Sequence, residues 1–94
     1  MTKLFSPIIL RDFEFPNRAW LPPMCQYQAV EGLPQDWHLV HYGSRAAGGF
    51  GLIIVEATAV SPEGRISPKC AGIWNDEQRD KWKEIVEFSH SLNA

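Results

Sequence analysis

The sequence predicts an α/β fold in which a hairpin is followed by a strand, a helix, a second strand and a second helix. Three observations support this prediction. Residues 52–55 form a continuously apolar run rich in β-branched side chains, which is typical of a strand covered on both faces. Residues 37–47 show helical spacing before that run, and Asn75 offers a helix start after it. Such alternation implies parallel strands joined by right-handed crossovers.

The chain begins with two short apolar runs, residues 8–10 and 13–15, separated by a polar pair. This pattern predicts a hairpin. The next run, residues 19–21, is closed by the prolines at positions 22–23. Since proline has no amide N–H to donate, we expect regular pairing to stop there and the backbone beyond it to be free to face a ligand.

The first helix follows a loop over residues 31–35 that contains glycine and proline. Asp36 is expected to cap the helix by accepting hydrogen bonds from its first free amides. The helical spacing extends over residues 37–47, and we expect Gly48 and Gly49 to supply the left-handed conformation that often ends a helix.

Residues 61–70 carry two prolines and a glycine, which predicts a long polar loop at the carboxyl end of the second strand, where loops usually carry function. Asn75 and Gln78 have the spacing of a reciprocal cap at the start of the second helix. The residues expected on its buried stripe are Trp82, Ile85, Val86 and Leu92.

The composition excludes several classes of protein. Among 94 residues, 45% are hydrophobic and the formal charge is -2, so we expect no disordered chain, no nucleic-acid partner and no anionic membrane partner. No secretion signal and no run of about 18 apolar residues is seen, which predicts a cytoplasmic protein. Cys25 and Cys70 are expected to be free thiols. Two parallel strands do not make a stable sheet alone, so we expect further chain to complete it.

A series of short motifs occurs in order along the chain: residues 4–7, 23–27, 37–38, 41–42, 51–60, 63–66 and 72–74. Together they resemble the old yellow enzyme family. Within it, the similarity is greatest to the branch that carries a cysteine beside the flavin and includes xenobiotic reductase A.

This resemblance implies an FMN-containing (β/α)8 barrel that takes hydride from NADH or NADPH and passes it to an activated alkene. Residues 1–94 would be the amino-terminal part of one FMN-binding domain, a partial TIM barrel made of the amino-terminal hairpin and the first two strands and helices. Because a barrel needs about 250 residues, we expect the rest of the barrel to be the main partner and these residues alone to be inactive. A homo-oligomer is a further possibility.

The resemblance also implies roles for five residues. Cys25 would lie near the flavin N5 and O4 atoms and tune the cofactor, and Tyr27 would polarise a substrate carbonyl. Pro23, Met24 and Ala57 would contact the flavin through their backbone. Each has a structural alternative, in which Cys25 is a small buried hydrophobe, Tyr27 a rim aromatic and the others ordinary strand termini.

Two other interpretations fit parts of the sequence. His38 and His41 share a helix face and could bind zinc with Cys25 and Cys70, although these cysteines lack the close pairing typical of zinc sites; we therefore predict no metal. The rival to the enzyme is a freestanding βαβα binding module that offers an open strand edge to a partner. A compact monomer of this length with a cooperative melting transition would support the module.

Overall fold

A computed structural model of the protein describes residues 3–94, so Met1 and Thr2 lie outside it. The strands are β1 (Ile8–Leu10), β2 (Phe13–Phe15), β3 (Trp20–Leu21) and β4 (Leu52–Ile53). The α-helices are α1 (Asp36–Ala47) and α2 (Asp76–Ser91), and short 3₁₀ turns occupy Lys3–Phe5 and Pro62–Gly64. This is the predicted order of hairpin, strand, helix, strand and helix.

The hairpin pairs β1 with β2 in antiparallel register, with Ile8 opposite Phe15. Arg11 in the two-residue turn adopts the left-handed region, with φ 54°. The Phe15 ring packs against Trp20 at a centroid distance of 5.1 Å. The aromatic contact therefore attaches the hairpin to the first residue of β3.

Strands β3 and β4 pair in parallel, with Trp20 opposite Leu52 and Leu21 opposite Ile53. The ladder continues only as far as Ile54, whose amide donates to the Leu21 carbonyl at 3.1 Å. Regular pairing stops at the two prolines, as predicted, because they offer no donor. Strand β4 is therefore two residues shorter than the apolar run of residues 52–55.

The expectation that residues 52–55 are covered on both faces is wrong for the last two. Ile54 is 43% exposed and Val55 is 38% exposed. Within residues 3–94, β3 is the only strand paired with β4, and α1 packs against β4. The apolar pattern of residues 52–55 therefore predicts more burial than residues 3–94 provide.

The start of α1 differs from the prediction. Its cap is Gln35, which has extended backbone, and Asp36 is the first helical residue. The Gln35 amide donates to His38 Nδ1 at 2.9 Å, so a buried histidine takes the part of the usual acceptor side chain. Asp36 instead accepts from Lys81 Nζ of α2 at 2.9 Å.

The end of α1 also refines the prediction. Gly48 keeps right-handed helical backbone with φ -74°, whereas Gly49 takes the left-handed conformation with φ 102°. The left-handed stop therefore belongs to Gly49 alone.

Helix α2 begins at a one-sided cap. Asn75 Oδ1 accepts from the Gln78 amide at 2.9 Å, as predicted. The reciprocal bond to Asn75 is not made, because Gln78 Oε1 accepts from the Trp74 amide at 2.7 Å. Gln78 thereby binds the incoming chain one residue earlier than expected.

The buried face of α2 contains Trp82 and Ile85, as predicted, together with Ser89. Val86 and Leu92 are 40% and 38% exposed, so their assignment to that face is wrong. Trp82 packs on Tyr42 of α1, and the same core cluster includes Leu21, Ala29, Ala71 and Ile85. No helix in the described part of the chain is long and apolar enough to cross a membrane.

Candidate active site

The candidate site is the edge where β3 and β4 end. Because the strands are parallel, residues 22–27 after β3 and residues 54–58 after β4 leave the sheet on the same side. The two segments meet where the Gln26 amide points to Glu56 Oε1 at 3.5 Å. Cys25 and Ala57 are each next in sequence to a member of this pair, so the structure brings the two predicted strand ends together.

The side chain of Gln26 holds the first of these segments. Its amide nitrogen donates to the Met24 carbonyl at 2.9 Å, and its oxygen accepts from Trp37 Nε1 at 2.9 Å. The chain after β3 is therefore tied to the first turn of α1. Sequence reasoning gave Gln26 no role, since a polar residue in a loop carries no signal of its own.

Most of the predicted cofactor residues are accessible. Pro23, Met24 and Ala57 are exposed, and Cys25 is partly buried. The amides of Met24 and Ala57 donate no hydrogen bond to any residue within 3–94. The edge thus presents free backbone donors beside a small side chain, which suits the rim of a flat polar ring.

Tyr27 has backbone that the sequence did not predict. Its φ is 54°, in the left-handed region that aromatic residues seldom adopt. Tyr27 follows Cys25 by two residues, so continuing strand geometry would point both side chains to the same side, but the left-handed backbone of Tyr27 departs from that geometry. The Tyr27 side chain is half exposed, with 49% of its surface accessible.

Glu56 is the most deeply buried acidic group of the site, with only 2% of its surface exposed. The Tyr42 hydroxyl donates to Glu56 Oε2 at 2.5 Å and accepts from the Glu56 amide at 2.9 Å. One side chain of α1 therefore holds both the backbone and the carboxylate of this residue. The sequence did contain a signal for Glu56, because a carboxylate directly after an apolar strand needs buried hydrogen-bond partners.

His38 lies beneath the same carboxylate and is fully buried. Since its Nδ1 accepts the Gln35 amide, the ring proton of the neutral form sits on Nε2. Nε2 lies 3.5 Å from Glu56 Oε1, which is long for a hydrogen bond. Among residues 3–94 it is the buried side-chain polar atom left without a hydrogen-bond partner.

The charges of this cluster follow from burial and hydrogen bonding. Burial opposes ionisation of Glu56, but the nearby His38 ring and the hydrogen bond from Tyr42 outweigh it, so the pKa of Glu56 is lowered. Burial, reinforced by the hydrogen bond to Glu56, raises the pKa of Tyr42. At neutral pH the carboxylate is therefore ionised and the phenol remains a donor.

Cys25 and Cys70 are free thiols, as predicted. Ser67 donates to Cys70 Sγ through its amide at 3.3 Å, and its hydroxyl lies 3.4 Å away. The Ser67 hydroxyl, opposed by burial, lowers the pKa of the Cys70 thiol. Cys70 belongs to a shallow pocket with Ala57 in the loop after β4.

The zinc interpretation is wrong for the described residues. Across positions 3–94, no three histidine, cysteine or acidic side chains are placed to hold a metal ion. The physical reason lies in His38, because one of its ring nitrogens serves the helix cap and the other faces Glu56.

The family assignment follows from comparison with known proteins. Residues 3–94 match the model of the NADH:flavin oxidoreductase / NADH oxidase family. The chain belongs to this family. FMN as cofactor and NADH or NADPH as reductant agree with the family description and the names of its members.

Two relatives show how far the similarity extends. An NADH:flavin oxidoreductase of Gibberella zeae is 50% identical over 90 residues, covering 96% of this chain and 22% of the relative. An NADPH dehydrogenase of Listeria welshimeri is 49% identical over 96 aligned positions, covering 100% of this chain and 28% of the relative. The chain thus spans about a quarter of the length of these members.

Solved structures of the family give the same result. Morphinone reductase in complex with tetrahydroNAD superposes with a TM-score of 0.89 at 35% identity, covering 100% of this chain and 25% of that one. The old yellow enzyme homologue from Zymomonas mobilis gives 0.88 at 35% identity, covering 99% and 26%. The partial (β/α)8 barrel is confirmed, whereas the xenobiotic reductase A branch stays a prediction.

Proposed function

We propose that this chain is the amino-terminal part of a single FMN-binding (β/α)8 barrel domain, in a protein that uses NADH or NADPH to reduce activated alkenes such as enones. One observation carries the proposal. The parallel ends of β3 and β4 meet at Gln26 and Glu56, at the edge where barrels bind ligands. The exposed residues Met24 and Ala57 lie there, and their amides have no hydrogen-bond acceptor within residues 3–94. Family membership supplies the cofactor class.

In this proposal Pro23, Met24 and Ala57 form part of the cofactor rim. When bound, FMN supplies two-electron transfer between the nicotinamide and the alkene. The Ala57 amide donates to the polar edge of the ring system, and its small side chain lets the backbone approach closely. The segment at Pro23 and Met24 contributes main-chain contacts from the neighbouring strand end.

Cys25 and Tyr27 are the two residues we assign to the chemistry. The Cys25 thiol acts as a weak donor toward the flavin edge and tunes its electron affinity. The Tyr27 hydroxyl, on a half-exposed side chain, donates to the substrate carbonyl and draws electron density away from the alkene.

The remaining proposals concern partners and location. The rest of the barrel is the partner that closes the site, and the segment of residues 1–94 has no activity by itself. A homo-oligomer and a cytoplasmic location stay predictions. The absence of a metal from the proposed mechanism also stays a prediction.

The proposal is tested with the whole protein and its Cys25→Ala variant. We expect the purified protein to contain FMN and to oxidise NADPH in the presence of a simple cyclic enone. The variant should retain FMN while its flavin midpoint potential shifts, because a hydrogen-bond donor beside the ring is lost.

Cys70→Ala is the matched control, since it removes a thiol that is hydrogen-bonded within its own loop. We expect its potential to equal that of the unmodified protein. A colourless protein would contradict the proposed function, and an unchanged potential in Cys25→Ala would contradict the tuning role.

A further inference from the structure

Glu56 has a position that the proposed chemistry does not use. Its carboxylate lies behind the strand ends, almost completely buried, while the surface offered to the cofactor belongs to its neighbours. It nevertheless contacts α1 through Tyr42 and His38 and the segment after β3 through Gln26. This one side chain therefore connects three parts of the site.

The contact with Tyr42 gives Glu56 a defined orientation. The phenol hydroxyl donates to Oε2 and accepts from the amide of the same residue. Rotation of the carboxylate would break the short bond of 2.5 Å inside a buried environment, where an unpaired charge is costly. Oε2 is consequently held, and Oε1 must point away from Tyr42.

Oε1 faces two donors, each at 3.5 Å. One is His38 Nε2, whose ring is fixed by the bond between its Nδ1 and the Gln35 amide. The other is the Gln26 amide, in the segment that carries Cys25. Both donors approach the same oxygen, so the orientation of the carboxylate determines whether both contacts are made.

We infer that Glu56 is a positioning residue that, held by Tyr42 and His38, sets the segment of residues 22–27 against the end of β4. Through Gln26 it determines where Cys25 lies relative to Ala57. The inference rests on the proposed function, since it concerns residues that are assigned to the flavin. Glu56 itself touches neither cofactor nor substrate.

A positioning role and a purely structural role give different results. A structural residue changes stability when it is replaced, but the flavin potential stays the same in the folded protein. A positioning residue that acts through Cys25 changes the potential, and this change disappears once the thiol is absent. A double-mutant cycle measures this dependence.

The experiment uses the whole FMN-loaded protein and four variants: Glu56→Gln, Cys25→Ala, the double variant and Ser89→Ala. Glutamine keeps the shape of Glu56 but cannot accept with both ends. Ser89 is a matched control, because it is a buried donor whose hydrogen bond, to the Ile85 carbonyl, stays within α2. The readouts are FMN content, flavin midpoint potential and hydrogen exchange of the peptide covering residues 22–27.

We expect Glu56→Gln to retain FMN and to shift the potential, and the double variant to show no shift beyond that of Cys25→Ala. Hydrogen exchange of residues 22–27 should be faster by about 10-fold, as expected for the loss of one hydrogen bond. Ser89→Ala should leave the flavin potential and the hydrogen exchange of residues 22–27 unchanged. Additive shifts, or a Glu56→Gln variant that behaves like Ser89→Ala, would overturn the inference.

Tyr42→Phe provides a second route if Glu56→Gln does not fold. It leaves the carboxylate in place but removes the group that orients it, so the same dependence on Cys25 is expected. If neither variant holds FMN, the role is in folding and the inference fails. If the unmodified protein lacks FMN or Cys25→Ala leaves the potential unchanged, the proposed function fails instead.

Discussion

At the scale of single residues, the buried Glu56 carboxylate is the feature that needs most explanation. An isolated ionised carboxylate is strongly destabilising in a protein interior, so donors must compensate for the lost water. Tyr42 supplies the short hydrogen bond, and His38 and Gln26 supply weaker contacts. The apolar strand pattern of residues 52–55 could not reveal these donors, because they come from other elements.

The first prediction concerns His41, which is buried on α1. Burial, followed by the nearby Arg45 charge, lowers the pKa of His41 below 6.5. The unfolded chain therefore binds this proton at a higher pH than the folded protein does. As a result, stability should fall as pH drops from 6.5 through the lowered pKa. Chemical denaturation of whole His41→Gln protein between about pH 8 and pH 5 should show a smaller loss than wild type.

The contribution of Glu56 to stability is also lost as pH falls, but in a different range of pH. Because its pKa is lowered from 4.5, its contribution to stability is complete above that value and is lost as pH falls through the lowered pKa. Glu56→Gln should therefore retain the loss due to His41 and lack the further loss below pH 4.5. Identical pH profiles for wild type and His41→Gln would contradict the first prediction.

At the scale of elements, the connection between the two helices depends on Trp74. Its ring lies against Gly32, and the Arg65 guanidinium stacks over it at 5.4 Å from the centroid. Gln78 adds bonds to the Trp74 amide and to the Glu31 carbonyl, at 2.7 and 3.2 Å. The loop before α1, the loop after β4 and the start of α2 thus meet at one aromatic ring.

This arrangement predicts that Gly32→Ala is strongly destabilising. Gly32 has φ 74°, and an added Cβ would overlap the Trp74 ring and lie 2.6 Å from Gln78 Nε2. We expect a loss of about 2–4 kcal/mol in the unfolding free energy of the whole protein, from backbone strain and overpacking together. Denaturant titration measures the loss.

Gly49→Ala is the matched control for this prediction. Gly49 also has a left-handed backbone, with φ 102°, but an added Cβ would meet no atom within 4 Å. Gly49→Ala should lower the unfolding free energy only by the backbone strain, about 1–2 kcal/mol. Equal losses in the two variants would show that the Trp74 contact contributes nothing.

At the scale of the whole molecule, the described residues form an elongated body. Its extents are 46 × 22 × 21 Å, and its radius of gyration is 14.4 Å, against about 12 Å for a compact domain of this length. Large apolar side chains stay exposed in the hairpin and near both strand ends, including Phe13 at 63% and Ile54 at 43%. These surfaces suit contact with further strands and helices of a barrel.

The segment of residues 1–94 produced alone should therefore behave differently from the whole protein. We expect it to self-associate, to bind an apolar fluorescent dye and to contain no FMN, because two-stranded sheets with open edges are not stable alone. Sedimentation, dye fluorescence and absorbance of the two proteins in parallel test this. A compact monomer with a cooperative melting transition would instead support the freestanding module.

Local pattern was sufficient for much of the fold. Period, prolines and caps are properties of neighbouring residues, so the hairpin, both helices and the end of pairing at Pro22 were predictable. The motifs around Cys25 and Ala57 were sufficient for the family. The errors at the helix starts arose because a different nearby group made the capping bond: His38 accepts from the Gln35 amide, and Gln78 accepts from the Trp74 amide.

The sequence by itself thus determined the order of elements, the family and the two strand ends that carry the candidate site. Only the tertiary structure decided that Glu56 is held by Tyr42 and His38, that Tyr27 leaves strand geometry and that Ile54 is exposed. The physical reason is that hydrogen-bond partners and burial depend on which elements meet in space. The spacing of residues along the chain determines only which side chains share a face of a helix or strand.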